Sequence, residues 1–507
     1  MQKNILQTIG FGALAALQAC TSSSDTQSGR PNILIIYADD LGFGDIGFNG
    51  AKGVKTPNID RLAMNGVNFT DAHCTAATST PSRFSLLTGS YAFRSNAAIL
   101  PGDAPLLIDP EKGTLAAMLQ KAGYKTAVVG KWHLGLGRGE VDWNKEIKPG
   151  PREVGFDYSF LIPATADRVP CVYIENQHVV GTDINDPVTV SYVQDLEGYP
   201  TGTNHPELLR FKADLQHSNT IVNGIGRIGF MKGGKKALWV DEDFPVLLTD
   251  KAMTFIEENR EQPFFLYFAL TDVHVPRVPN PMFIGKSTMG PRGDVIAEMD
   301  WCVGQLMQKI EDLGLTEKTL VVFSSDNGPV LNDGYDDLAA ELLGEHQPAG
   351  PFRGGKYSAF EGGTRVPTIV SWPGVVKPGI SDALVNQIDL YASLAKLTGQ
   401  IPGVNDAPDS EEFLNTWLGK SAKGRKSMLE EAFTLAFREG EWKYINPIEK
   451  PTPEWLKNKD VETALSNEVQ LYNLQNDQAE RVNIASKNPE RVKEMQEQLK
   501  KIRQEKK

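Results

Sequence analysis

The run Ile33-Leu34-Ile35-Ile36-Tyr37-Ala38, closed by Asp39-Asp40, decides how this chain folds. It lacks the apolar-polar alternation of a strand with one wet face, so it predicts a strand buried on both faces. Similar short runs recur at residues 126–129, 264–270, 319–324 and 368–372. Between them lie segments with apolar residues at helical spacing, residues 58–65, 113–122, 248–259 and 294–313. Gly123 and Gly314 stand where the second and fourth of these should stop. Strands alternating with helices predict an α/β fold, a mostly parallel sheet flanked by helices. In such sheets ligands gather beyond the carboxyl ends of the strands, so the residues that follow each run are the first place to seek chemistry.

Those positions hold Asp39 and Asp40, Lys131 and His133, His274, and Asp326 and Asn327. Polar residues in one loop mean little, but ionisable residues of complementary kind after four strands point to one functional rim. Adjacent carboxylates at Asp39 and Asp40 repel unless a cation lies between them, and Asp326 with Asn327 adds further hard oxygens. An all-oxygen set suits Ca²⁺ or Mg²⁺, not zinc. Gly42-Phe43-Gly44-Asp45-Ile46-Gly47 matches the glycine pattern of a dinucleotide loop. Two carboxylates ahead of it oppose a pyrophosphate, and Asn49-Gly50 stands where the phosphate-binding helix would run, so that reading is rejected.

The 507 residues carry a net charge of −12. No basic patch is available to neutralise a phosphate backbone, which speaks against a nucleic-acid partner. A hydrophobic share of 40% and a mean hydropathy of −0.30 exclude disordered, collagen-like and polytopic membrane classes. Residues 1–19 read as a bacterial lipoprotein signal: an apolar stretch at 5–17, too short to span a bilayer, then Leu17-Gln18-Ala19-Cys20, which resembles a lipobox. Cys20 is the expected lipidation site and residues 20–29 a flexible tether. The expected location is therefore exported and lipid-anchored, at the outer membrane or in the periplasm of a Gram-negative bacterium. Cys74, Cys171 and Cys302 have neither zinc nor disulfide spacing and are expected to be buried thiols.

In Ser79-Thr80-Pro81-Ser82-Arg83-Phe84-Ser85-Leu86-Leu87-Thr88-Gly89, Pro81 fits the first turn of a helix. That places Ser79 at the helix N-terminus, where free N–H groups and the dipole favour an anion, and Arg83 one turn on. A plain Ser-capped helix reads the same way. The segment resembles, however, the signature of the sulfatases, (Cys or Ser)-x-Pro-Ser-Arg followed by Thr-Gly, whose first residue is oxidised to formylglycine. The likeness covers nearly the whole chain after the signal. Asp39-Asp40-Leu41-Gly42, Thr56-Pro57-Asn58-Ile59-Asp60, Gly130-Lys131-Trp132-His133-Leu134-Gly135, His274-Val275-Pro276, Ser325-Asp326-Asn327-Gly328 and Gly355-Lys356 fall in family order. The chain is thus similar to the type I sulfatases of the alkaline-phosphatase-like superfamily, in their bacterial Ser-type form.

That resemblance implies Ca²⁺ held by Asp39, Asp40, Asp326, Asn327 and an oxygen of residue 79. It implies formylglycine hydrate at position 79 as nucleophile, one hydroxyl attacking sulfur and the other later expelling sulfate as the aldehyde reforms. Arg83, Lys131 and Lys356 would set positive charge around the sulfate oxygens. His274 would protonate the leaving alcohol and His133 would take the proton that releases sulfate. A serine at 79 implies maturation by an oxygen-independent radical S-adenosylmethionine enzyme. His73, His205 and His217 are expected at the surface or as satisfied core residues.

A catalytic domain is expected over residues 30–420, with a smaller C-terminal α+β domain over 421–507 that carries an antiparallel sheet. In it, Asn488-Pro489 should cap a last helix with Val492, Met495, Leu499 and Ile502 on one face. The expected substrate is a sulfated glycan, first 3-O-sulfated galactose of mucin-type chains, with 6-O-sulfated galactose or N-acetylhexosamine and aryl sulfates as alternatives. His178, in a loop at 167–181 that also carries Tyr173 and Glu175, and Arg353, three residues before Lys356, are the expected partners of sugar hydroxyls. A phosphohydrolase using unmodified Ser79 would want more His and Asp ligands for a second metal, where these strands deliver Lys131 and His133. A glycan-binding protein without catalysis would want a broken catalytic set, and none is broken.

Overall fold

The computed structural model describes residues 30–457 and 459–505; the expected signal at 1–19 and tether at 20–29 lie outside the described residues. From Pro31 onward the chain forms one compact unit. Its centre is a ten-stranded sheet made of Asn32–Ala38 (β1), Val67–Phe69 (β2), Lys125–Lys131 (β3), Tyr158–Ile162 (β4), Ile174–Glu175 (β5), His178–Val179 (β6), Phe264–Ala269 (β7), Thr319–Ser325 (β8), Thr368–Ser371 (β9) and Gly379–Ser381 (β10). The spatial order is β10-β2-β9-β8-β1-β7-β3-β4-β5-β6. The central strands β8-β1-β7-β3-β4 run parallel. Antiparallel pairs extend the sheet on both sides. Every residue of β1, β7 and β8 is buried, as their unbroken apolar runs require.

Register brings the rim together. Ala38 on β1 pairs with Ser325 on β8, Tyr37 with Ala269 on β7, and Ala269 with Gly130 on β3. The next residues along these parallel strands, Asp39, Asp326 and Lys131, therefore emerge side by side at the carboxyl edge.

The longer helices around this sheet are Pro57–Met64 (α1), Ser79–Thr88 (α2), Leu115–Lys121 (α3), Phe244–Glu258 (α4), Gly290–Asp312 (α5) and Leu390–Thr398 (α6). Helix α4 begins four residues before its apolar spacing suggests, because Pro245 sits in its first turn. Gly314, at φ 68°, follows the end of α5 in the left-handed conformation that stops helices. The glycines at 42–47 hold two 3₁₀ turns and no dinucleotide helix.

The C-terminal sheet is antiparallel: Ser427–Glu431 (β11), Leu435–Glu439 (β12), Trp442–Ile445 (β13) and Gln470–Asn473 (β14). Helix Pro489–Gln504 (α7) buries Met495 and Leu499 in a cluster with Phe437, Tyr444 and Leu471 of that sheet. Asn488 does not cap this helix with its side chain; its amide donates instead to the Ile484 carbonyl at 2.9 Å. Cys74, Cys171 and Cys302 are free and buried. Among the described residues no helix is long and apolar enough to cross a membrane.

Candidate active site

Ser79 is the first residue of α2, and Thr78 before it is extended. Its Oγ accepts a hydrogen bond from Lys131 Nζ at 2.9 Å and lies 3.4 Å from Asp39 Oδ1 and 3.3 Å from Asn327 Oδ1. Lys131 Nζ also donates to Asp39 Oδ2 at 2.6 Å. One turn along α2, Arg83 grips Asp326 Oδ2 through Nε and Nη2 at 3.0 and 2.8 Å. Asp40 takes a left-handed conformation, φ 59°, which Asp tolerates better than most residues. Its carboxylate joins the same cluster, accepting from Asn327 Nδ2 at 2.7 Å and from Lys356 Nζ at 2.8 Å.

Charge and burial pull these groups apart. Burial, reinforced by Asp326 and Asp40, raises the Asp39 carboxyl well above the usual range despite Lys131. Burial also opposes ionisation of Asp326, but Arg83 and Lys131 outweigh it and hold that carboxyl well below the usual range. For Lys356 burial is outweighed by Asp333 and Asp40, which hold it firmly protonated.

The two histidines of the rim are neutral. Burial and Lys131 push His133 far down. Its Nε2 is 3.0 Å from the Leu100 carbonyl, which can only accept, so Nε2 carries the proton and Nδ1 is a buried lone pair with no partner. Burial and Lys356 lower His274 to about 4. Its Nδ1 donates to the Val275 carbonyl at 2.6 Å, leaving Nε2 unprotonated, 3.9 Å from Asp40 Oδ2. A cavity of about 250 Å³ opens over Ser79, with His133, His274, Lys356, Asp167, Arg168 and His217 on its walls.

The Sulfatase family model matches residues 31–400 of this chain, most of its length. The chain belongs to that family. This sulfatase is 51% identical over 499 residues to the N-acetylgalactosamine-6-O-sulfatase of Bacteroides thetaiotaomicron, a match spanning 97% of each protein. It is 32% identical over 432 residues to human arylsulfatase A, covering 82% of this chain and 74% of that one. A solved structure from work on the metabolism of multiple glycosaminoglycans by Bacteroides thetaiotaomicron superposes with a TM-score of 0.92 at 52% identity, covering 94% of this chain and all 100% of the other. The sulfatase is accordingly a hydrolase of sulfuric esters.

Sulfatases typically use Ca²⁺ and formylglycine, and the donor set fits the ion. Asp39, Asp40 and His274 offer ligand atoms within 4.8 Å of one another, with Asp326 and the Asn327 amide oxygen adjoining. Three buried carboxylates in one cluster, one of them driven toward its neutral form by burial and by the other two, form a site that a hard divalent cation completes.

The structure gathers Asp39, Asp40, Ser79, Lys131, Arg83, Asp326, Asn327, His274 and Lys356 into this sulfatase site, with His133 on the cavity wall. Arg83 and Lys131 lie beneath Ser79 among the carboxylates and do not line the cavity. Two expected subsite residues are not there. Asn176 and Gln177, both at positive φ, fold β6 back on β5 at the outer edge of the sheet, and His178 is exposed there, 3.2 Å from the Asn176 carbonyl. Glu175 is spent on Lys251 and Tyr158, each at 2.7 Å. Arg353 turns away from Lys356: it pairs with Glu462, donates to the Glu480 carbonyl at 2.8 Å and lies over Phe360. Gly354, at φ 77°, makes the turn that separates the two cations.

Four wall residues carry no motif. Asp333 accepts from Lys356 Nζ at 2.9 Å. His217, expected at the surface or as a satisfied core residue, is buried and satisfied by Asp214 at 2.7 Å and Asp167 at 3.2 Å, and it also lines the cavity. Arg168 leans on Asp167 at 2.8 Å. His73 and His205 match expectation, the first buried and bonded to Asp71 and Thr364, the second exposed.

Proposed function

We propose that this sulfatase removes the 6-O-sulfate of N-acetylgalactosamine units in glycans. The observation that carries the reading is 51% identity over 97% of both chains to a protein named for that reaction. The active cavity, about 250 Å³, lies below the roughly 300–1,000 Å³ of most small-molecule sites, a size suited to a sulfate and the one sugar that bears it. The 3-O-sulfated galactose reading rested on His178 and Arg353, and neither lines that cavity.

When present, Ca²⁺ at Asp39, Asp40, Asp326 and Asn327 supplies positive charge to the sulfate, and formylglycine at position 79 supplies the oxygen nucleophile. The chain's own residues do the rest. Lys131 Nζ holds the oxygen at position 79 in place, and Arg83 keeps Asp326 ionised. Lys356 sets a fixed cation on the cavity wall, where charge persists on the sulfate oxygens. His133 offers its unpaired Nδ1 as a base. Burial and Lys356 keep His274 neutral; an arriving sulfate places negative charge beside it, favours a proton at Nε2, and makes it the donor to the leaving sugar oxygen. Conversion of Ser79 by an oxygen-independent radical S-adenosylmethionine enzyme belongs to the same proposal.

The test uses enzyme matured in an anaerobic host and a panel of monosulfated sugars: N-acetylgalactosamine 6-sulfate, N-acetylglucosamine 6-sulfate, galactose 6-sulfate and galactose 3-sulfate. Sulfate release should be fastest from the first. Equal or faster release from galactose 3-sulfate overturns the assignment.

A further inference from the structure

A second cavity, about 660 Å³, adjoins the active one, and Gln216 and Trp455 line both. We propose that it holds the neighbouring sugar of the glycan, and that this sugar is uncharged; the inference rests on the carbohydrate reading above.

The wall between the cavities is built, not incidental. Asp214 faces the second cavity, and His217 behind it faces the first. Gly334 packs against this pair so closely that a Cβ there would come 2.3 Å from His217 Nδ1 and 3.0 Å from Asp214 Oδ2. Lys459, on the second cavity, donates to Asp214 at 3.1 Å and lies 3.6 Å from Asp333, which itself holds Lys356. Trp455 stands at the junction. Its ring meets Tyr357 edge-on with centroids 5.2 Å apart and Phe433 at 5.9 Å, so packing fixes its orientation. A pinned indole on the edge of a roomy cavity offers the apolar face of a sugar ring a flat surface.

The charges choose the sugar. Among the cations and anions of this cavity, Asp337 is taken by Arg277 at 2.8 Å and Glu454 by Lys457 at 2.6 Å, while Lys459 is shared between Asp214 and Asp333. Asp336 and Glu341, both exposed, then outnumber Lys212. A uronate or a second sulfate placed here meets like charge, and an uncharged hexose does not.

The experiment takes the panel sugar cleaved fastest and compares it free, extended by one neutral hexose, and extended by one hexuronate, through each linkage available. Neutral extension should raise kcat/KM about tenfold over the free sugar, and uronate extension should not. Ala340→Trp, at an exposed position that lines only the second cavity, should erase the gain from neutral extension and leave the free sugar within about twofold. Asp336→Asn with Glu341→Gln should narrow the gap between neutral and uronate extension. If extension changes nothing in wild type, or Ala340→Trp leaves its effect intact, the second site is overturned while the activity on the free sugar stands. Faster cleavage of the uronate form overturns the charge selectivity. Release from no sugar sulfate at all overturns the carbohydrate reading and this inference with it.

Discussion

Lys356 Nζ lies between two carboxylates, 2.8 Å from Asp40 in the cation cluster and 2.9 Å from Asp333 in a loop that no motif marks. Asp333 also takes the Tyr357 hydroxyl at 3.1 Å, so it fixes one wall of the cavity as well as the lysine. Asp333→Asn keeps the shape and removes the charge that aims Lys356. We expect kcat/KM for the preferred sugar sulfate to fall roughly 10- to 100-fold, the scale of losing a partner that orients a contacting group. Stabilisation by added Ca²⁺ should persist, because Asp333 is not a donor of that cluster. Loss of the calcium response together with activity would show that the substitution damages the metal site and not the lysine.

Ser79→Ala should abolish sulfate release and leave the thermal transition within a few degrees of wild type. Ser79 is the first helical residue and not the cap, and its Oγ gives up the Lys131 bond and two long contacts, 3.4 Å to Asp39 and 3.3 Å to Asn327, a net cost of about 1 kcal/mol. In wild type from an anaerobic host, the peptide spanning residues 79–83 should be lighter by two hydrogens, about 2 Da, than its sequence mass, the mark of oxidation at Ser79. Mass spectrometry of the digest reads this directly. Full activity with an unmodified Ser79 would overturn the nucleophile.

The sheet was legible because its strands are buried on both faces and end abruptly in ionisable residues; the run before Asp39 reads as a strand in any context. Ser79, Arg83, Lys131, His133, His274, Asp326 and Asn327 lie within or just past such elements, where register fixes their positions. Asp333, Asp167, Arg168 and His217 come from irregular loops, and an aspartate in a loop has no signature until the chain folds over it. His178 and Arg353 failed for the same reason in reverse. A place in a loop beyond the Lys131–His133 strand, or three residues before Lys356, says nothing once a two-residue turn or a glycine at positive φ sends the chain another way.

Asp326→Asn tests the cation site apart from chemistry. Wild type should gain stability with added Ca²⁺, by about 2.7 kcal/mol at a concentration one hundred times the dissociation constant. The variant loses a donor charge and also releases the Arg83 fork that rests on it. Its melting temperature should start lower and respond little to Ca²⁺. A response equal to that of wild type would remove Asp326 from the ligand set. Mg²⁺ run in parallel distinguishes a general cation effect from a site suited to the larger ion.

His217 should make the stability of this fold depend on pH. Burial works against its proton, but the hydrogen bonds it donates to Asp167 and Asp214 outweigh burial and raise it above its ordinary value. The other groups facing it are the Tyr335 ring, 4.7 Å away, and Lys459 and Arg168, each held on one of the two carboxylates. Because the folded state binds this proton more tightly than the unfolded chain, the stabilisation is complete below the unfolded value of about 6.5 and is lost as pH rises through the folded one. His217→Gln keeps a donor and removes the charge. The melting temperature of wild type should therefore exceed that of the variant most near pH 6, with the gap closing toward pH 9. Below pH 5 protonation of other carboxylates intrudes, so the comparison belongs above it. A gap that stays constant from pH 6 to pH 9 would mean that His217 serves the wall through its shape and hydrogen bonds alone.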